Sequence, residues 1–304
     1  MATAEVAERL SSAVVSIRSA GRDWTWLVPR LLTALAFLVL FWAPLTTLGR
    51  DWWQDPEAAH GLLLAPLALV LVWRRGISPL ARPQPVLGLA LLVFAILLRY
   101  GSHLAAELFT MRLSLFLALA ALVISAWGVR QVLHWWLPVG LLLLSIPVPA
   151  VLLGSLALPL QLEASQMGAA LLEWRNVPVL LSGNVIHLPG QTLFVTEACS
   201  GLRSLTALLA LGLLIGGIWL RMPILRVLLI ALAIPVAMVL NGLRVFLTGF
   251  LVYYMGPAWG EGVMHYSEGW AFFVVAFVIL GVMAWAFSGL ERLLPRLRLR
   301  KASP

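Results

Sequence analysis

The chain has 304 residues, of which 62% are hydrophobic and 11% charged, with mean hydropathy +0.97 and a formal net charge of +8. Soluble domains carry about 25% charged residues, so this composition excludes a water-soluble globular protein and indicates a chain built into a lipid bilayer. The basic excess is then explained by loops on one side of the membrane rather than by nucleic acid, and the single cysteine excludes an intramolecular disulfide.

Residues 1–27 carry Arg9, Arg18 and Arg22 among Ser and Ala and read as a cytoplasmic amphipathic lead-in. The apolar run that follows is long enough to span and is not closed by a small-residue cleavage site, so an anchor is expected rather than a signal peptide. A span needs about 20 apolar residues. Candidates fall at 28–48, 58–73, 85–100, 111–128, 134–153, 200–220, 223–250 and 269–288. The fold class expected is an all-α polytopic membrane protein with about eight transmembrane helices. The transmembrane domain covers 28–288, and 289–304 form a basic tail.

An even number of spans puts both termini on one side. In that arrangement the first tail, the loops after spans two, four and six, and the last tail hold 15 of the 21 Lys and Arg residues. Only Glu5, Glu8, Asp23 and Glu291 accompany them. By the positive-inside rule this face is cytoplasmic. The fourteen Trp residues suit interfacial belts.

On the opposite face the long loop 154–199 is informative. Residues 155–175 have apolar positions at helical spacing and few charges, as in an interfacial helix. Three extended runs follow, Val177–Leu181, Asn184–Leu188 and Thr192–Val195, punctuated by Ser182–Gly183 and Pro189–Gly190. That punctuation predicts a small hairpin or meander. No repeat or low-complexity segment is evident.

The lone Cys199 sits where this loop turns into the sixth span. A thiol at a helix N-terminus is biased toward thiolate, and a neighbouring Arg adds to the bias. Arg203 lies at i+4, on the same helical face. In the seventh span Asn241 and Arg244 interrupt the apolar run in its outward half. An intramembrane charge costs roughly 2.5 kcal/mol or more and is a functional-site hypothesis by default. His265 precedes the eighth span, also outside. A thiol, a guanidinium and an imidazole at one interface are the equipment for acyl transfer.

The runs EACSGLRSL, NGLRVFLTG and HYSEG, together with the lead-in NVIHLPGQTLFVTEACSG, closely resemble the exosortase/archaeosortase family. The early segment DPEAAHGLLLAPLALVLVWRR is similar to that family's Asp…His-Gly…Pro…Trp segment, except that Ala58-Ala59 replace the usual Tyr-Ser. The resemblance covers roughly residues 50–288. It implies a cysteine-dependent transpeptidase or protease acting on exported proteins with a C-terminal sorting signal: a Pro-Glu-Pro-like motif, a transmembrane helix and a basic tail. The family's nucleophile, arginine and histidine carry over onto Cys199, Arg244 and His265. A bacterial inner-membrane location follows, with the active site periplasmic.

Other readings of these residues stay open. A cysteine in a span is commonly a packing residue, Arg244 can snorkel to headgroups, and His265 can be an ordinary interfacial histidine. Arg203 supports the thiolate, binds a substrate carboxylate or pairs with Glu197. Glu197 orients His265 or holds an Arg. His60, near Asp55 and Glu57, lacks a second histidine at ligand spacing, so substrate contact or structure is expected rather than a metal. His187 reads as a surface residue. No cofactor is expected. The partners are a membrane-borne protein substrate and the bilayer. A protease that only hydrolyses, and a transporter or flippase using the two arginines, are the competing functions.

Overall fold

The computed structural model describes the backbone of residues 27–55, 58–195, 202–260 and 263–301. Two compact units divide between Thr47 and Leu48. The first contains α1 (Leu27–Leu40), whose Leu31, Leu35 and Val39 are exposed, and the start of α2 (Trp42–Gln54). Its one described ring pair is Phe37 stacked on Phe41, with centroids 4.9 Å apart.

The second unit carries the rest in the order α3 (Gly61–Arg75), α4 (Pro85–Leu104), α5 (Leu108–Trp127), α6 (Val129–His134), α7 (Trp136–Leu144), α8 (Ala150–Trp174), β1 (Leu180–Ser182), β2 (Val185–Leu188), β3 (Gln191–Phe194), α9 (Leu202–Trp219), α10 (Pro223–Met255) and α11 (Val263–Lys301). One turn of 3-10 helix, Pro257–Gly260, joins the last two.

Eight spans were expected. Among the described residues, four helical stretches are long and apolar enough to cross: α4, α5, α10 and Ala271–Leu293 within α11. A fifth is counted if α1 and α2 form one bent span. The difference has local causes. The expected span 58–73 is a 15-residue helix. The expected span 134–153 is broken at Trp135 and again over Ser145–Pro149, where Pro147 and Pro149 lack an N–H and push their predecessors out of helical geometry. Its last residues belong instead to α8. That helix also includes the segment expected to be interfacial, and it packs lengthwise on α10: Met167 meets Gly242, Gly168 meets Val245, and Leu172 meets Gly249. Small residues at such a seam let two helices approach closely.

Parallel to α8, and antiparallel to α9 and α11, α10 is the axis of this part of the molecule. On α9, Gly212 faces Ile230 and Ala233, and Gly216 faces Arg226 and Leu229. A core of Leu208, Ile215, Leu229, Ala233, Ala237, Ala276 and Leu280 binds α9, α10 and α11 together. A second core joins α8 and α10 to the strands through Ala164, Leu172, Ile186, Leu188, Val195, Val245 and Val252.

The three strands form an antiparallel meander, β1-β2-β3, close to the runs expected from the sequence. Gly183, at φ +62°, takes the first position of the two-residue β1–β2 turn, as a type II′ hairpin requires. In the β2–β3 turn Pro189 precedes Gly190 at φ +74°, the type II order. Burial alternates along β2: Ile186 and Leu188 face inward while His187 is exposed, as expected.

Loops that the charge count assigned to one face lie together. Arg75 Nη1 donates to the His134 carbonyl at 3.0 Å, and Gln131 accepts from the Ser78 N–H at 2.8 Å. The Arg75 and Arg226 guanidinium groups both lie over the Trp136 ring, 5.5 and 4.8 Å from its centroid. Glu291 accepts from the backbone N–H groups of Arg221 and Met222, capping the start of α10. A carboxylate there is favoured by the helix dipole. Residues of the 50–60 segment, assigned to the opposite face, bond to residues expected inside the fourth and fifth spans. Trp52 Nε1 donates to Ser145 O at 2.8 Å, His60 Nε2 is 3.1 Å from Leu144 O, and Asp51 pairs with Arg112 at 2.6 Å.

Candidate active site

Asn241 and Arg244 stand one turn apart on α10. Asn241 is only 7% exposed, and Arg244 is half-buried. One turn further on, the Thr248 hydroxyl donates to the Arg244 carbonyl at 3.0 Å. This stretch of α10 buries Asn241, Gly242, Val245, Thr248 and Gly249 along one side. A polar pair is thus held in an apolar setting by a helix packed on several neighbours.

Two clefts open beside this pair. The first lies between α9, α10 and α11 and is lined by Leu208, Asn241, Arg244, Phe272 and Phe273 among others. The second lies between α8, α9 and α10 and is lined by Leu160, Glu163, Met167, Leu205 and Asn241 among others. Ala237 and Asn241 border both. Apolar walls lower the local dielectric and strengthen what the guanidinium can do to a charge that forms beside it.

The cysteine and Glu197 lie in 196–201, outside the described residues. The ends of that segment are described. The Val195 N–H donates to Asn184 O at 2.9 Å, and Asn184 Nδ2 donates to Val195 O at 3.1 Å and to Gln161 Oε1 at 3.4 Å. Gln161 is buried in α8, and Leu160, Glu163 and Ala164 around it line the second cleft. At the far end α9 begins at Leu202, and its Leu205 and Leu208 line the second and first clefts. Val195 and Leu202, the described residues on either side, line neither cleft themselves; Gln161 stands beside the second and Leu205 in it.

Arg203 lies in the first turn of α9 and His265 in the first turn of α11. The expectation placed His265 in a loop ahead of the last span. It falls within the helix instead, because α11 starts at Val263, a few residues after the 3-10 turn. Their side chains lie outside what is described.

His60 lines neither cleft. It takes the N-cap position of α3 and bonds the last carbonyl of α7. Gly61 explains the pairing of these two residues in sequence: a Cβ there would stand 2.1 Å from Trp52 Nε1, which needs that space to reach Ser145. The His60 contact ties the start of α3 to the end of α7.

Sequence reading passed over Glu163. Its signal was a carboxylate set between Leu162 and Ala164, close to Gln161 and Gln166. Also missed was the Gln161–Asn184 tie, which joins residues 23 apart in sequence and has no short-range signature.

The description "transmembrane exosortase" fits residues 52–282. Neither a curated protein nor a solved structure matches the chain. The matched region runs from Trp52 through both clefts to the middle of α11, more than half of the 304 residues. The chain belongs to the transmembrane exosortase family, membrane proteins of cysteine-peptidase type.

Proposed function

We propose that this protein is an intramembrane cysteine transpeptidase that cleaves exported proteins at a C-terminal sorting signal on the periplasmic side. Cys199 is the nucleophile, Arg244 stabilises the oxyanion, and His265 moves protons. The substrate's own transmembrane helix docks laterally, and its scissile peptide enters the cleft beside Asn241 and Arg244. Attack by the thiolate forms a C–S bond. The C–N bond breaks, His265 protonates the leaving amine, and a thioester remains for an acceptor to resolve. Arg203 and Glu197 support the thiolate and the substrate from either side of Cys199. Both termini are cytoplasmic.

The observation that carries this reading is the convergence of α9, α10 and α11 on one cleft with Arg244 in its wall. On α9, Leu205 and Leu208 line the clefts that Asn241 also lines, and Leu208 shares one with Arg244. On α11, His265 precedes Phe272 by seven residues, about 10 Å of helix rise.

The test is co-expression of a signal-bearing substrate with wild type and with Cys199→Ala. Processing by wild type alone, with a substrate-mass adduct on the thiol, is expected. Processing that persists in Cys199→Ala overturns the reading. A transporter would depend on Arg244 and tolerate loss of the thiol.

A further inference from the structure

The two clefts beside Asn241 differ in charge. Arg244 lines the first, whereas among the described residues the one charged residue lining the second is Glu163. Glu163 is exposed at its mouth, and among the described residues no Lys, Arg or His pairs with it. A cation-lined and an anion-lined cleft therefore meet at one buried amide, and the first turns of α9 wall both.

This polarity matches one particular reaction. When an amine attacks a thioester, the tetrahedral intermediate carries an oxyanion and an ammonium at once. A guanidinium stabilises the first and a carboxylate the second. Both charges develop within a bond or two of the same carbon, so their partners must flank it from two sides. Attack by neutral water on the same thioester leaves no comparable cation on the nucleophile for a carboxylate to hold.

Resting on the cysteine-transfer function above, we infer that the second cleft is the acceptor subsite, that the acceptor is a primary amine, and that Glu163 receives it. The amine enters past Glu163 between α8 and α9. Its nitrogen bonds to the thioester carbonyl carbon, the C–S bond breaks, and Cys199 leaves as thiolate. The surplus proton on nitrogen passes to the Glu163 carboxylate and from there to water at the exposed mouth. Leu160, Met167 and Leu205 give the subsite apolar walls.

The test uses the full chain in detergent with a synthetic signal-bearing peptide and glycinamide as the amine. Mass spectrometry reads the ratio of glycinamide adduct to hydrolysed acid. Wild type gives a ratio that rises with glycinamide. Glu163→Gln is expected to lower it at least tenfold at fixed glycinamide, and Glu163→Asp to restore part of it. An unchanged ratio in Glu163→Gln, with both products still made by wild type, overturns the subsite alone. So does a rise in KM for the peptide without a change in ratio, which would assign Glu163 to the substrate chain instead. If wild type yields neither product, as in Cys199→Ala, the cysteine-transfer function falls and the subsite with it.

Discussion

Arg112 of α5, 3% exposed, holds the Asp51 carboxylate of α2 at 2.6 Å. Two helices 61 residues apart in sequence are thereby joined by an ion pair whose cation has almost no access to solvent. Next to Asp51 on α2, Trp52 donates to Ser145 O, and His60 at the start of α3 lies 3.1 Å from Leu144 O.

Removing one partner of a buried pair leaves an uncompensated charge and costs more than the pair itself contributes. Asp51→Ala is expected to destabilise the detergent-solubilised protein by about 3 kcal/mol. The double variant Asp51→Leu with Arg112→Leu should recover most of that loss. Thermal unfolding of wild type, Asp51→Leu, Arg112→Leu and their double variant gives the coupling.

The Trp52 indole needs the space above Gly61. Gly61→Ala is expected to expel it from its bond to Ser145 and cost about 1–3 kcal/mol. Trp52→Phe should lose only the hydrogen bond, about 1 kcal/mol. With Trp52→Phe in place the alanine at 61 should do less further harm, which melting curves of the single and double variants will measure.

Much of the site was legible because its parts are local. The meander followed from Gly183 and Pro189–Gly190, each required by its own turn. Asn241 and Arg244 stood out as polar residues in an apolar run. Helix breaks at Trp135 and Ser145–Pro149 were less legible, since apolar composition continues unbroken through them and hydropathy does not register a missing N–H. The roles of His60 and Gly61 depend on Trp52, Leu144 and Ser145, which only the packing brings near. Glu163 was counted as an outer-face acid, and nothing in sequence indicates that its helix lies against Asn241. Cys199 and Glu197 fall outside the described residues.

Glu107 caps α5, accepting from the Phe109 and Thr110 N–H groups at 2.9 and 2.7 Å and from the Thr110 hydroxyl. The Thr110 hydroxyl bond, helped by the backbone N–H groups and Arg112 and opposed by burial, holds its carboxyl below the usual value of 4.5. A carboxyl with a depressed folded pKa stabilises fully above its unfolded value, and that stability is lost as pH falls through the folded one. Stability of the wild type should therefore decline as pH drops below about 4.5. Glu107→Gln should be less stable at neutral pH and show a flatter acid limb, as melting temperature against pH will show.

Arg244→Ala should reduce kcat for signal cleavage by about 10²–10³, the usual cost of an oxyanion donor. Arg244→Lys should restore little, because a point ammonium does not reproduce the planar fork of donors. Both should keep the wild-type melting temperature more closely than Asp51→Ala does. A turnover assay paired with thermal unfolding separates the two effects.

Cys199 is the only cysteine in the chain, so Arg244→Cys creates a single possible thiol pair. Treatment of that variant with a bis-maleimide spanning about 8 Å, followed by peptide mass spectrometry, measures the proximity on which catalysis depends. The account predicts a linked pair of peptides from positions 199 and 244, formed much faster than in a Leu228→Cys control near the other end of α10. Equal or slower linking at 244 than at 228 would contradict it.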